Sequence, residues 1–243
     1  AQAADTVKKI SLELGGNAPF LVFNDADLDE AVKGAIASKF RNSGQTCVCA
    51  NRLLVQADVA DRFVPKLVEA VRALKVGPGL DEGVKVGPLI NNEGMKKVER
   101  LMADALAKGA QVQCGGKRHP AGERFYAPTV ITQVTSDMDC TQEEIFGPVM
   151  PVMTFRDEAE AIRLANDTPF GLAAYCYTRD IGRTWRVGEA LEYGMVGMNT
   201  GLISTAVAPF GGVKQSGIGR EGSTHALDEF TEVKYLALAG INP

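Results

Sequence analysis

The chain is poor in the residues that most often mark a site. Its 243 residues include one tryptophan and two histidines, His119 and His225, and aromatics make up 7%. Two isolated histidines leave the Cys-x-Cys pair of Cys47 and Cys49 without the second ligand pair that a zinc site needs, so no metal is expected. No apolar run approaches the ~18 residues that span a bilayer, and the first residues lack a signal-peptide core. Charge of one sign is also missing. There are 26 Lys+Arg against 30 Asp+Glu, net −4, with the basic residues scattered. That balance argues against nucleic acid or a membrane surface as the main partner. The five cysteines (Cys47, Cys49, Cys114, Cys140, Cys176) are odd in number and irregularly spaced. They read as reduced thiols of a cytoplasmic protein rather than a disulfide framework. There is no internal repeat and no low-complexity linker, and the composition is that of one ordinary globular unit. The first residue is not methionine, which suggests a cut within a longer protein.

What is present is a regular alternation of strand-like and helix-like segments, the pattern of an α/β domain with a largely parallel sheet. A short helix is expected over Ala3 to Lys9. Residues 20–23 read as a buried strand, after which Asp27 can cap a helix with apolar positions Leu28, Val32, Ile36 and Phe40. Residues 52–56 read as the next strand, followed by a helix carrying Val59, Phe63, Leu67, Val71 and Leu74 on one face. Asn92 to Lys108 repeats the helical pattern and Gly109 stops it. Further strands are expected at Gln111–Cys114, around Pro128–Val134, and at Val149–Phe155, Leu172–Tyr177 and Met195–Asn199, with a helix over Glu158–Asn166. A late strand is expected in Val233–Leu238.

Four segments can carry chemistry. Phe40-Arg-Asn-Ser-Gly-Gln-Thr-Cys47-Val-Cys49 delivers Cys47 on a loop, where backbone N–H groups and the Arg41 cation can stabilise a thiolate; a buried small hydrophobe is the plainer reading. In Leu12-Glu13-Leu14-Gly15-Gly16, a glutamate between leucines is costly to bury unless used, as a general base for instance; a strand-end carboxylate facing water is the alternative. Glu143-Glu144-Ile145-Phe146-Gly147-Pro148 is an acidic pair turning into an apolar strand. Pro209 to Glu221 is glycine-rich but lacks the Gly-Lys-Ser/Thr ending of a phosphate loop, and reads as backbone packed closely on something.

In this order, with Cys47 thirty-four residues after Glu13, the four segments resemble the aldehyde dehydrogenase superfamily over essentially the whole chain. The likeness is nearest to its succinate-semialdehyde branch, through residues 40–51, Asn166 to Tyr175 and Gly188 to Gly194. The resemblance implies Cys47 as nucleophile and Glu13 as the base that activates water against a thioester. It implies Glu144 on the nicotinamide ribose of NAD or NADP, and Phe146 packed beside the nicotinamide. It further implies Arg41 and Ser204 gripping the distal carboxylate of a small semialdehyde, and Cys49 as a redox partner of Cys47. A family member has roughly twice this length, with a Rossmann-type NAD(P) domain before Leu12.

Residues 1–13 are therefore expected to be the tail of that domain and 14–210 the catalytic domain. Residues 211–243 would be a returning segment plus an oligomerisation strand, at 232–239, that joins a neighbouring subunit in a homodimer or homotetramer. The implied fold is an open, largely parallel twisted sheet flanked by helices. The implied reaction is oxidation of succinate semialdehyde to succinate, with this chain alone inactive because its cofactor site is incomplete. Glutarate semialdehyde is the alternative substrate, and a non-catalytic assembly module the alternative of another class.

Overall fold

The longest strand segments are apolar at consecutive positions, as strands buried on both faces must be. The computed structural model, which describes residues 3–241, shows them as the middle of one sheet. In chain order the elements are β1 (Leu12–Glu13), β2 (Ala18–Val22), α1 (Leu28–Lys39), β3 (Ala50–Gln56), α2 (Ala57–Arg72), α3 (Asn92–Ala107), β4 (Gln111–Cys114) and β5 (Thr129–Thr132). There follow the single turn α4 (Asp139–Gln142), β6 (Val149–Phe155), α5 (Glu158–Asn166), β7 (Phe170–Gly171), β8 (Ala173–Tyr177), α6 (Ile181–Ala190), β9 (Met195–Met198), β10 (Val213–Lys214) and β11 (Gly217–Ile218).

Seven strands form the sheet in the order β4-β5-β6-β3-β2-β8-β9. All neighbours are parallel except β4 and β5, so the fold is the expected α/β class. Side chains of β2 and β3 alternate between two cores. Phe20, Val22, Leu53 and Val55 pack with Val59, Phe63 and Leu67 of α2 on one face. Leu21 and Leu54 pack with Val98, Leu101 and Met102 of α3 on the other. Asp27 caps α1 as expected, accepting from the N–H groups of Asp29 (3.1 Å) and Glu30 (3.2 Å). Asn91, Asp157 and Asp180 do the same for α3, α5 and α6.

Three expectations change. Ala3 to Lys9 forms a turn and bends followed by irregular chain, largely exposed, with no apolar stripe to dock. Helix α6 was not foreseen. The strand expected at 232–239 is irregular and exposed, because strand structure needs a ladder partner and none of the described residues pairs with it. The glycine-rich stretch packs as anticipated: β10 pairs with β7, and β11 pairs with β1. Gly217, at φ 130°, lies against the Leu12 carbonyl where any Cβ would collide. No helix among the described residues is long and apolar enough to cross a membrane.

Candidate active site

Three of the four segments singled out from the sequence end in adjacent parallel strands. Gly15–Asn17 leads into β2, Cys47–Cys49 into β3, and Glu144–Pro148 into β6. Because the sheet runs β6-β3-β2, all three arrive at the same edge, at the amino ends of the strands. The site is thus at the opposite edge from the carboxyl-end crevice usual in open α/β sheets.

The nucleophile candidate is delivered by a strained turn. After α1, a 3₁₀ turn over Arg41–Gly44 contains Asn42 (φ 49°) and Ser43 (φ 58°), both in the left-handed region. Such residues cost about 1–3 kcal/mol each and persist only where neighbours hold them. Here Ser43 Oγ donates to the Gly87 carbonyl (2.9 Å), Gln45 Nε2 to that of Pro88 (3.2 Å), and Gln45 Oε1 accepts from Ile90 N–H (2.8 Å). On the far side of Cys47, the Tyr175 hydroxyl donates to the Val48 carbonyl (2.6 Å) and Ser38 Oγ accepts from Ala50 N–H (3.1 Å). Gly16 presses on the carbonyl of Cys47, which a Cβ there would approach to 2.5 Å. That close approach brings the Glu13 segment beside the nucleophile loop.

Cys47 and Glu13 line one open cleft of ≈ 610 Å³ with Leu14, Gly15, Glu144, Phe146, Phe210 and Glu221. The Cys47 thiol is half-buried, and burial pushes its pKa up. The Glu144 carboxylate pushes the same way, the thiol's own backbone N–H pulls down, and Glu13 and Cys49 raise it further. Nearby, burial raises the Tyr175 pKa while Arg41 pulls it down. Glu13 sits in the exposed ladder of β1 with β11, between exposed leucines, as the strand-end alternative has it. Its pKa is nonetheless raised, by burial first and then by Glu221, against the pull of Arg220. Glu144 is half-buried, with Oε1 accepting from Gly16 N–H (3.1 Å). Burial raises its pKa while that N–H, Lys97 and Lys39 lower it.

The chain that carries this cleft is similar to known proteins over nearly its whole length. The aldehyde dehydrogenase family profile matches residues 1–236. The chain belongs to the aldehyde dehydrogenase family. Similar relatives include the NADP(+) succinate-semialdehyde dehydrogenase GabD of Escherichia coli strain K12, 60% identical over 98% of this chain and 49% of that protein. The glutarate-semialdehyde dehydrogenase of Pseudomonas aeruginosa is 58% identical over 99% of this chain and 50% of that protein. Among solved structures, that of succinate-semialdehyde dehydrogenase from Burkholderia pseudomallei superposes with a TM-score of 0.96 at 64% identity. It covers 97% of this chain and 49% of that one. The chain thus spans about half the length of the curated relatives it matches.

Against this family background the remaining candidates fall in different places. Arg41 is exposed and lines a neighbouring apolar groove with Ile36, Phe40 and Leu202 rather than the Cys47 cleft. Ser204 is exposed in the loop that carries Leu202. All five cysteines are free. Cys49 is buried, its Sγ donating to the Lys39 carbonyl (3.7 Å) and touching Thr46 Oγ1 (2.7 Å). Phe146 is exposed in the cleft at φ 53°, a costly conformation for an aromatic residue. For a nicotinamide dinucleotide, the chain offers a carboxylate suited to ribose hydroxyls and an aromatic ring suited to the nicotinamide face. The glycine-rich stretch is engaged in strand pairing and presents no helix N-terminus to a pyrophosphate. The residues therefore fit the nicotinamide end of such a cofactor. Sequence reasoning gave no role to Glu221, the last residue of the glycine-rich segment, whose charge reaches Glu13 across the cleft.

Proposed function

We propose that this chain carries the catalytic half of an NAD(P)-dependent aldehyde dehydrogenase acting on a small semialdehyde with a distal carboxylate, succinate semialdehyde first. The observation that carries this reading is the convergence of Cys47, Glu13 and Glu144 on one cleft. Cys47 Sγ, as thiolate, adds to the aldehyde carbon; the C–S bond forms as the carbonyl π pair moves to oxygen, giving a thiohemiacetal oxyanion. The cofactor, when bound, supplies the acceptor for the hydride that leaves this carbon, so that a thioester remains on Cys47. Glu144 would hold that cofactor's ribose and Phe146 would flank its ring. Glu13 then takes a proton from water. The resulting hydroxide adds to the thioester carbonyl, the C–S bond breaks, and acid and Cys47 thiolate separate. Glu221 makes Glu13 a stronger base by raising its pKa.

Arg41 and Ser204 are proposed to grip the substrate carboxylate, by paired N–H donors and a hydroxyl. The domain division proposed is 14–210 for the catalytic body and 211–243 for the returning segment and an assembly strand.

The acyl half of the cycle is testable without cofactor. With p-nitrophenyl acetate, the chain should give a burst of nitrophenolate and acetyl-Cys47 by mass. Cys47→Ala should give neither, and Glu13→Gln should keep the burst while slowing steady hydrolysis roughly 100-fold or more. A full burst in Cys47→Ala would overturn the reading. The substrate is tested by kinetics of the whole protein on succinate and glutarate semialdehydes with NAD+ and NADP+. Arg41→Leu should raise KM for both by roughly 10-fold or more and leave propanal unchanged.

A further inference from the structure

One buried group at this edge has no part in the chemistry above. Asn51, the second residue of β3, is 3% exposed; Asn17, just before β2, is 0% exposed. The Asn51 carboxamide is saturated. Its Oδ1 accepts from Ile145 N–H (2.9 Å), and its two Nδ2 hydrogens are shared among Asn17 Oδ1 (2.8 Å) and the carbonyls of Glu143 (3.0 Å) and Cys140 (3.2 Å). Asn17 Nδ2 donates to the Thr141 carbonyl (2.7 Å). The three carbonyls belong to Cys140 and Thr141 within the one-turn α4 and to Glu143 just after it, where so short a helix leaves C=O groups without partners.

The geometry at Glu144 is specific. The peptide before it accepts from Asn51 through the Glu143 carbonyl, and the peptide after it donates to Asn51 through Ile145 N–H. One side chain thus grips both flanks of the residue whose carboxylate receives Gly16 N–H and lines the Cys47 cleft. Asn17 extends the grip to the base segment, two residues from Gly15.

We propose that Asn51, seconded by Asn17, is the positioning residue that fixes Glu144 at the Cys47 cleft, making the nucleophile loop, the base segment and the Glu144 turn one rigid unit. This rests on reading Cys47 and Glu144 as the working groups of the site. Buried, saturated carboxamides of this kind fix a single arrangement, because any displacement leaves several polar groups unpaired at once.

The test uses Cys47 as a reporter. Facing it are Glu144, Glu13, Cys49 and Tyr175, and facing Glu144 are Lys39 and Lys97. Of these groups, Glu144 alone has both flanking peptides hydrogen-bonded to Asn51. The rate of iodoacetamide modification at Cys47, located by fragment masses, is measured against pH. Asn51→Ser should let the carboxylate move away and accelerate the reaction on the order of threefold below the thiol's apparent pKa. In a Glu144→Gln background the same substitution should change nothing, since general loosening would act in both backgrounds. An unchanged rate in folded Asn51→Ser, or equal acceleration with and without Glu144, overturns the proposal. Should Asn51→Ser fail to fold, Asn17→Ser should give a rise of the same sign, again abolished by Glu144→Gln, and its absence is equally decisive. Alkylation needs no aldehyde, cofactor or turnover. A failed clamp therefore shows here, whereas a failed assignment of Cys47 and Glu13 shows in the ester burst.

Discussion

Lys39 lies beneath the site, 1% exposed at the end of α1. Burial pushes its pKa down to about 8, against the opposing pull of Cys49, Glu144 and Cys140. The unfolded chain binds this proton more tightly than the folded one, so the stability contributed is present above the ordinary lysine value and is lost as pH falls through about 8. A depression of this size corresponds to ~3 kcal/mol. Lys39→Met keeps the length and removes the charge. It should stabilise the chain at pH ~7 by up to that amount, with the gain shrinking towards zero near pH ~10.5, read from urea unfolding at both. An equal gain at both would assign the effect to packing. At this scale the sequence was legible where a motif has a fixed spacing. Cys47, Glu13 and Glu144 could be found that way. Lys39 lies outside every such motif, and the roles of Asn51 and Glu221, each at the end of one, were not legible, since a buried amine, a saturated carboxamide and a carboxylate across a cleft are defined by neighbours distant in sequence. The exposure of Glu13 was one of two readings the sequence left open, because flanking leucines read the same in an edge ribbon as in a core.

The elements divide along similar lines. Helices with a wide apolar stripe and a capping residue, α1 and α3, and the strands buried on both faces were readable from local pattern. Helix α6 was not. Only Val187 of its residues is buried, while Ile181 and Trp185 face outwards, so there is no stripe to count. The terminal segment shows the converse. Val233, Tyr235, Leu236 and Leu238 have the composition of a strand, yet they are 101%, 88%, 69% and 69% exposed. Composition makes a segment able to pair; only a neighbouring edge makes it a strand. Truncation after Thr231 should therefore leave the unfolding free energy of the chain within ~0.5 kcal/mol, measured with urea. If the segment pairs with another copy, the same truncation lowers the sedimenting mass. A larger loss of stability would show that these residues pack on their own chain.

At the scale of the molecule, the site exists because β6, β3 and β2 are neighbours and parallel, so that their incoming loops meet. Strand order is a non-local property and was the least legible of all; the family resemblance, not the pattern of apolar residues, united the segments. The proposed base is held from still farther away, Glu13 pairing with Gly217. Around this edge Leu12, Leu14, Phe146, Val213 and Ile218 are exposed by 37% or more. Hydride transfer requires the acceptor ring to be fixed within near-attack distance of the substrate carbon, and loss of that fixation removes several kcal/mol of rate enhancement. On the proposed reading, Glu144 and Phe146 would hold one end of a dinucleotide, and no group of the cleft is assigned to its phosphates and adenine. The 243-residue chain, given succinate semialdehyde with NAD+ or NADP+, should therefore produce no reduced nicotinamide above background while still giving the acetyl-ester burst. The burst requires only the thiol and the carbonyl of the ester, both of which the open cleft admits. Saturable cofactor-dependent turnover by this chain would mean that the returning ribbon, and not a further domain, completes the cofactor site.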